Sequence, residues 1–109
     1  MLNPKDTPFD HLQNEIVREK FSALRRITEN LSNCLKTLED LDRSISEAIS
    51  ENLSSRHINR MIDAYNRVRE DAEEWRYYLI VTREAAGLFH HNLSAGVYRI
   101  PPRKAQVGL

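Results

Sequence analysis

Glycine and proline are missing from most of the chain, and cysteine is almost absent. The 109 residues include three glycines, four prolines and one cysteine, and neither glycine nor proline occurs between Phe9 and Ala86. Because these two residue types interrupt helices most strongly, the interval permits long helices. Cys34 alone cannot form an internal disulfide or a cysteine-based zinc site. So few glycines also exclude a glycine-rich phosphate loop.

The chain has neither an excess of charge nor a long apolar run. Its 16 Lys and Arg residues balance 16 Asp and Glu residues, a balance that disfavours nucleic acid as a partner. No apolar run approaches the roughly 18 residues of a membrane span. The first residues also lack the apolar core of a signal peptide. We therefore expect a cytoplasmic chain that does not enter membranes.

Apolar residues recur every seven positions in the first half of the chain. One row runs from Val17 to Ile45, and a second row runs from Ile27 to Ala48. This pattern is typical of helices that pack side by side. Thr7 is suited to cap the helix, and Pro8 is suited to its first position. The pattern predicts a helix over about residues 8–50, preceded by a flexible leader at residues 1–7.

The heptad pattern resumes after a polar interruption. Its rows run from Ile58 to Ala86 and from Met61 to Thr82. Ser54 is suited to cap a second helix. The sequence thus predicts a helix over about residues 55–86, with one continuous helix through residue 86 as the alternative. The predicted fold is all-α: a long antiparallel two-helix hairpin of the coiled-coil type, with a folded-back C-terminal tail.

The residues after Gly87 are predicted to complete a single domain over residues 8–100. Residues 88–100 are expected to form a short helix or an extended segment. Their apolar side chains are expected to cover the N-terminal end of the first helix, where Phe9 and Leu12 have no partner on the second. Residues 101–109 are predicted to be a flexible tail.

Apolar and aromatic side chains outside the seam predict self-association. A two-helix hairpin has one seam, so side chains on other faces need a second neighbour. Two hairpins pairing as a four-helix bundle would cover them, and a twofold homodimer is the commonest symmetry. The residues expected at this interface are Phe21, Leu35, Ile49, Trp75, Tyr77, Tyr78, Ile80 and Val81.

Candidate chemistry is concentrated around the end of the second helix. Arg83 and His90, with six residues between them, resemble the Arg-x(4–6)-His element of the HEPN ribonucleases, which are all-helical dimers. The resemblance covers these two residues, and it implies a catalytic role for them, with Glu84 beside the arginine. A metal site would draw on Glu84, His90 and His91, although no Glu-x-x-His pattern of bundle metal sites is present.

A row of arginines at heptad spacing, Arg69, Arg76 and Arg83, gives a further alternative. Such a row could follow a phosphate backbone, but it also occupies the position of interhelical salt bridges. Nearby carboxylates favour the structural interpretation. The sequence therefore favours a non-enzymatic, self-associating interaction or scaffold module without a cofactor, which could hold another protein through residues 88–104. The alternatives are a small ribonuclease or metal-dependent enzyme, and a nucleic-acid accessory protein.

Overall fold

Two long helices joined by a short turn make up most of the protein. The computed structural model describes residues 7–87 and 98–108. Helix α1 spans Pro8–Ser50 and helix α2 spans Ser55–Ala85, and the two pack against each other as a hairpin. Within those residues there is no strand. The predicted all-α helical hairpin is confirmed, and the alternative of one continuous helix is wrong.

Residues at the start of α1 cap it as the sequence predicts. The Asp10 backbone N–H donates to the Thr7 hydroxyl at 3.1 Å, and the Thr7 backbone N–H donates to the Asp10 carboxylate at 3.3 Å. Pro8 follows the cap, where its missing N–H costs nothing. This reciprocal capping box fixes the helix start at Thr7.

The turn between the helices stops α1 and starts α2 within four residues. Asn52 has a φ of 57°, in the left-handed region. Its N–H donates to the Ile49 carbonyl, and the Leu53 N–H donates to the Ala48 carbonyl. This is the Schellman arrangement, with asparagine in the place that glycine usually takes. The Ser54 hydroxyl then accepts from the His57 N–H at 3.1 Å and caps α2.

The core is a single seam between the helices. Leu31, Leu38 and Leu79 are almost completely buried, and Ala72 is fully buried opposite α1. The radius of gyration is 20.4 Å, whereas a compact chain of this length would have about 13 Å. The molecule is therefore a rod with little interior. Neither helix contains a stretch apolar enough, over sufficient length, to cross a membrane.

The described part of the C-terminal tail lies near the turn end of the hairpin. Residues 101–108, expected to be flexible, instead make a series of hydrogen bonds with α2. Tyr98 and Ile100 also pack against the seam. At the other end of the rod, Phe9 and Leu12 stay 65% and 53% exposed. The predicted short helix falls mostly within residues 88–97, outside the described residues.

The turn can be tested at Asn52. Left-handed backbone costs a residue with a β-carbon about 1–2 kcal/mol, least for asparagine and nothing for glycine. We expect Asn52→Val to lower the free energy of unfolding by about 1–2 kcal/mol and Asn52→Gly to leave it unchanged or slightly higher. Urea unfolding followed by circular dichroism measures both. Equal destabilisation by the two variants would contradict a left-handed residue at this position.

Candidate functional site

The tail follows α2 as an extended segment with no regular secondary structure. Tyr98, Pro101, Lys104 and Val107 are half-buried and recur every three residues, with Ile100 half-buried beside them. Three residues is the repeat of a polyproline II helix, whose backbone has no internal hydrogen bonds. The N–H and C=O groups of the tail therefore need partners elsewhere.

We call the surface that receives residues 98–108 the tail groove. Its polar contacts come from one residue of α1 and several of α2. They are Asp42, Ser55, Asn59, Asp63, Tyr65, Asn66, Arg69 and Glu70.

Two asparagines of α2 each bind one tail residue through both of its backbone groups. The Asn66 side chain donates to the Lys104 carbonyl and accepts from the Lys104 N–H, both at 2.9 Å. The Asn59 side chain donates to the Val107 carbonyl at 3.1 Å and accepts from the Val107 N–H at 2.8 Å. A primary amide carries both a donor and an acceptor, so it can take the place of a neighbouring β-strand. These contacts hold the backbone without selecting the side chain.

The spacing of the two asparagines matches the spacing of the residues that they bind. Seven residues of α-helix advance about 10.5 Å. Three residues of polyproline II advance about 9.3 Å, and three residues of a strand advance about 10 Å. Asn59 and Asn66, seven apart, therefore meet Val107 and Lys104, three apart, without a shift in register.

Asn66 is the buried polar side chain of the described core. It is 8% exposed, and the Lys104 backbone satisfies both ends of its amide. A buried polar group left without its partner costs about 1–3 kcal/mol. If the tail left this position, the Asn66 amide would be buried without a partner unless water entered the groove. The tail and Asn66 therefore stabilise each other.

The Lys104 side chain connects the tail to both helices. Its Nζ lies 2.6 Å from the Asp42 carboxylate on α1 and 4.9 Å from the centre of the Tyr65 ring on α2. Burial raises the pKa of Tyr65, opposed by the nearby Lys104 charge. The lysine thus meets a carboxylate and an aromatic face together, a combination that favours a cation. This contact selects a side chain, in contrast to the asparagine contacts.

Two further contacts extend the groove toward each end. The Arg69 Nε donates to the Pro101 carbonyl at 2.8 Å, while its Nη2 pairs with Glu73 at 3.0 Å. The Ser55 hydroxyl donates to the Gly108 carbonyl at 2.8 Å. The tail therefore runs opposite to α2, from Arg69 toward the start of the helix.

Between the tail and α1 the groove widens into an open cleft of about 710 Å³. Leu35 and Leu38 contribute apolar walls, and Glu39 and Asp42 contribute negative charge on the α1 side. Arg99 and Arg103 face it from the tail. The cleft is thus acidic on the helix side and basic on the tail side.

The predicted interface residues divide into an exposed and a half-buried group. Phe21, Ile49, Tyr77, Tyr78 and Val81 are 42–63% exposed large apolar side chains of the kind that a second subunit would cover. The other three, Leu35, Trp75 and Ile80, are half-buried and pack against the seam of their own chain.

Ile80 was expected at the subunit interface. It packs against the seam core of its own chain, so a charge there would disturb the hairpin as well as any assembly. Val81, the next residue, is 42% exposed. Leu35, expected to meet a second subunit, lines the cleft beside the tail.

The arginine row is not a uniform solvent-facing stripe. Arg69 is bound to Pro101 and Glu73. Arg76 is half-buried, and Arg83 is half-buried with its Nε shielded from solvent and unpaired among the described residues. Arg69 thus serves the tail groove, and its salt bridge is to Glu73 of the same helix and not the interhelical one that the heptad position suggests.

The candidate catalytic and metal-binding residues fall at the edge of the described chain. Arg83 and Glu84 lie in the last turn of α2, where Glu84 is exposed. His90 and His91 lie outside the described residues, so the geometry that the ribonuclease resemblance requires is untested. Residues 7–87 and 98–108 contain no cluster of three potential metal ligands.

Cys34 lies half-buried beside the seam and packs against its core. Burial raises the pKa of its thiol, and the negative charge of Asp71 raises it further. Since the thiolate is the reactive form, both effects disfavour reaction of this cysteine near neutral pH.

The tail groove was not predicted from the sequence, although part of its signal is there. Asn59 and Asn66 stand seven residues apart in α2, and Pro101, Lys104 and Val107 stand three apart in the tail. Each spacing alone is common. Only the distance match between seven helical and three extended residues connects the two segments.

No protein-family model, curated protein or solved structure matched this chain when each was searched.

The asparagine contacts can be tested residue by residue. In Asn66→Ala the Lys104 N–H loses its acceptor, and in Asn59→Ala the Val107 N–H does. We expect the amide exchange of Lys104 to accelerate about 5–10-fold in the first variant, which corresponds to a hydrogen bond of about 1 kcal/mol. Exchange is followed by NMR of the labelled chain.

Asn33→Ala, at an exposed asparagine of α1, serves as the matched control and should leave both tail amides unchanged. Unaltered exchange at Lys104 in Asn66→Ala would contradict the hydrogen bond that defines the groove.

The thiol offers a separate test. The raised pKa of Cys34 predicts slow reaction with a disulfide reagent at pH 8, and fast reaction in urea, where burial is lost. Asp71→Asn removes one of the two causes and should increase the rate in the folded chain. A folded rate equal to the urea rate would contradict the burial of this side chain.

Proposed function

We propose that this chain is a non-enzymatic helical interaction module that self-associates, with two hairpins pairing as a homodimeric four-helix bundle. The observation that carries the proposal is a set of exposed apolar side chains along the N-terminal part of α1, most of which extends beyond α2. They are Phe9, Leu12, Ile16, Val17 and Phe21, each 43–65% exposed.

This surface exists because the helices differ in length. Helix α1 has 43 residues and α2 has 31. Ala86, just past α2, lines a cavity of about 100 Å³ with Val17 and Phe21. The nine residues of α1 that precede Val17 therefore extend roughly 13 Å past the end of α2. We call residues 8–17 the overhang.

The overhang carries apolar residues at helix-packing intervals. Phe9, Leu12 and Ile16 are separated by three and four positions, the spacing of one helix face. Contiguous exposed apolar surface of this kind is unusual on a monomer and marks an interaction site. A second copy is the simplest occupant, because its own overhang offers the same face and a twofold pairing covers both at once.

The aromatic end of α2 supports the same proposal. Tyr77 and Val81 are exposed and four residues apart on one face of α2. Tyr78 donates to Glu74 at 2.9 Å and stacks edge-on against Trp75. Tyrosines that combine apolar area with a hydroxyl are frequent in interfaces.

The coiled-coil character, the cytoplasmic location and a role for the tail in holding another protein stay predictions.

Self-association can be tested with a matched pair of neighbouring substitutions. Phe21→Glu places a charge in the proposed interface, whereas Ser22→Glu places the same charge on an exposed polar position beside it. Sedimentation equilibrium should give the unsubstituted chain twice its 12.7 kDa mass. We expect Phe21→Glu to weaken dimerisation at least tenfold, since burying an unpaired carboxylate is costly.

Ser22→Glu should dimerise like the unsubstituted chain. A monomer mass for the unsubstituted chain that does not change with concentration would contradict the proposal. Unchanged helix content by circular dichroism shows that Phe21→Glu acts on assembly and not on folding.

A further inference from the structure

We propose that the tail groove is a binding site for an extended segment of another protein, and that residues 98–108 occupy it as an internal competitor. The partner segment is extended and carries a lysine in the position of Lys104, with its backbone in the register seen at Pro101, Lys104 and Val107. This proposal does not depend on self-association through the overhang.

The first argument is that most hydrogen bonds to the tail are made with its backbone groups and not with its side chains. Asn59 and Asn66 make four hydrogen bonds, all to N–H and C=O groups. Arg69 and Ser55 add bonds to two more carbonyls. Such contacts are available to any extended chain in register, whichever protein it belongs to.

The second argument is charge complementarity at one position. Asp42 and Tyr65 together form a place for a cation, and Lys104 fills it at 2.6 Å and 4.9 Å respectively. Arg103 meets Glu70 only at 3.9 Å, and both side chains are about two-thirds exposed. An exposed pair of this kind contributes little. The groove therefore selects lysine at one position and tolerates variation at the position before it.

The third argument concerns competition. Because the tail belongs to the same chain, it is presented to the groove at an effective concentration on the order of millimolar. A free segment of equal intrinsic affinity cannot displace it at lower concentration. A partner must therefore bind better, or the tail must be weakened first. The adjacent cleft, with Glu39 and Leu35 on its α1 side, offers contacts that a longer or more basic segment would gain.

The test uses the full chain with its tail weakened and its groove intact. In Lys104→Glu the tail carries a carboxylate toward Asp42, so the internal competitor is disfavoured. The probe is a fluorescent synthetic peptide with the sequence of residues 98–108, and anisotropy measures its binding. We expect at least tenfold tighter binding to Lys104→Glu than to the unsubstituted chain.

Groove variants and modified probes separate recognition from folding. Asn66→Ala and, independently, Asn59→Ala in the Lys104→Glu background should each weaken the peptide about tenfold at unchanged helix content. A peptide N-methylated at the residue equivalent to Lys104 lacks the N–H that Asn66 accepts from, and should lose binding similarly. The same methyl group at the exposed Ala105 position should have little effect.

Two results would overturn the proposal. One is no binding of the peptide to Lys104→Glu at millimolar concentration. The other is equal loss with both methylated peptides, which would mean that the backbone is not read in this register. Binding of an intact second copy of the chain as tightly as the free peptide would assign the groove to tail exchange between copies, and would also overturn the assignment to another protein.

Discussion

A pair of antiparallel helices shares one seam, and that seam covers one face of each helix. The rest of this structure follows from which of the other faces are covered and which stay exposed. Near the turn, the described tail covers part of a second face of α2 and forms a third segment of the rod beside the two helices. At the opposite end, α1 extends past α2 and its apolar side chains stay exposed. Among residues 7–87 and 98–108, the rod thus has one end completed by its own chain and one end left uncovered.

At the end covered by the tail, an extended backbone lies beside a helix and needs hydrogen-bond partners. A helix uses its own N–H and C=O groups internally, so it cannot offer them to a neighbour. Asparagine side chains supply the missing donor and acceptor, and Asn66 does so from a buried position. Lys104 adds a contact that reaches across to Asp42 on α1. The tail is consequently held by α2 along its length and by α1 at one point.

The hairpin was predictable because the sequence signals of a helix lie close together along the chain. The seven-residue apolar rows, the Thr7–Asp10 capping box and the Ser54 cap each depend on neighbours within a few residues, and the structure confirms the two caps. The position of the tail was not predictable in the same way. It depends on a match between two segments some 40 residues apart, and the three-residue spacing in the tail is too common to indicate the match by itself. The sequence alone therefore predicts a flexible tail over residues 101–109. The packing of Ile80 against its own seam was not predictable for a related reason, since a heptad assignment does not show which flanking residues a two-helix rod partly covers.

The central claim is that the tail is held against α2 by its backbone. The steady-state 1H–15N nuclear Overhauser effect of the Lys104 and Val107 amides tests it most directly, because this quantity reports motion of each N–H bond. We expect values for both amides close to those of Tyr65 and Asn66 within α2. Values near zero or below, typical of a freely moving chain end, would contradict the account.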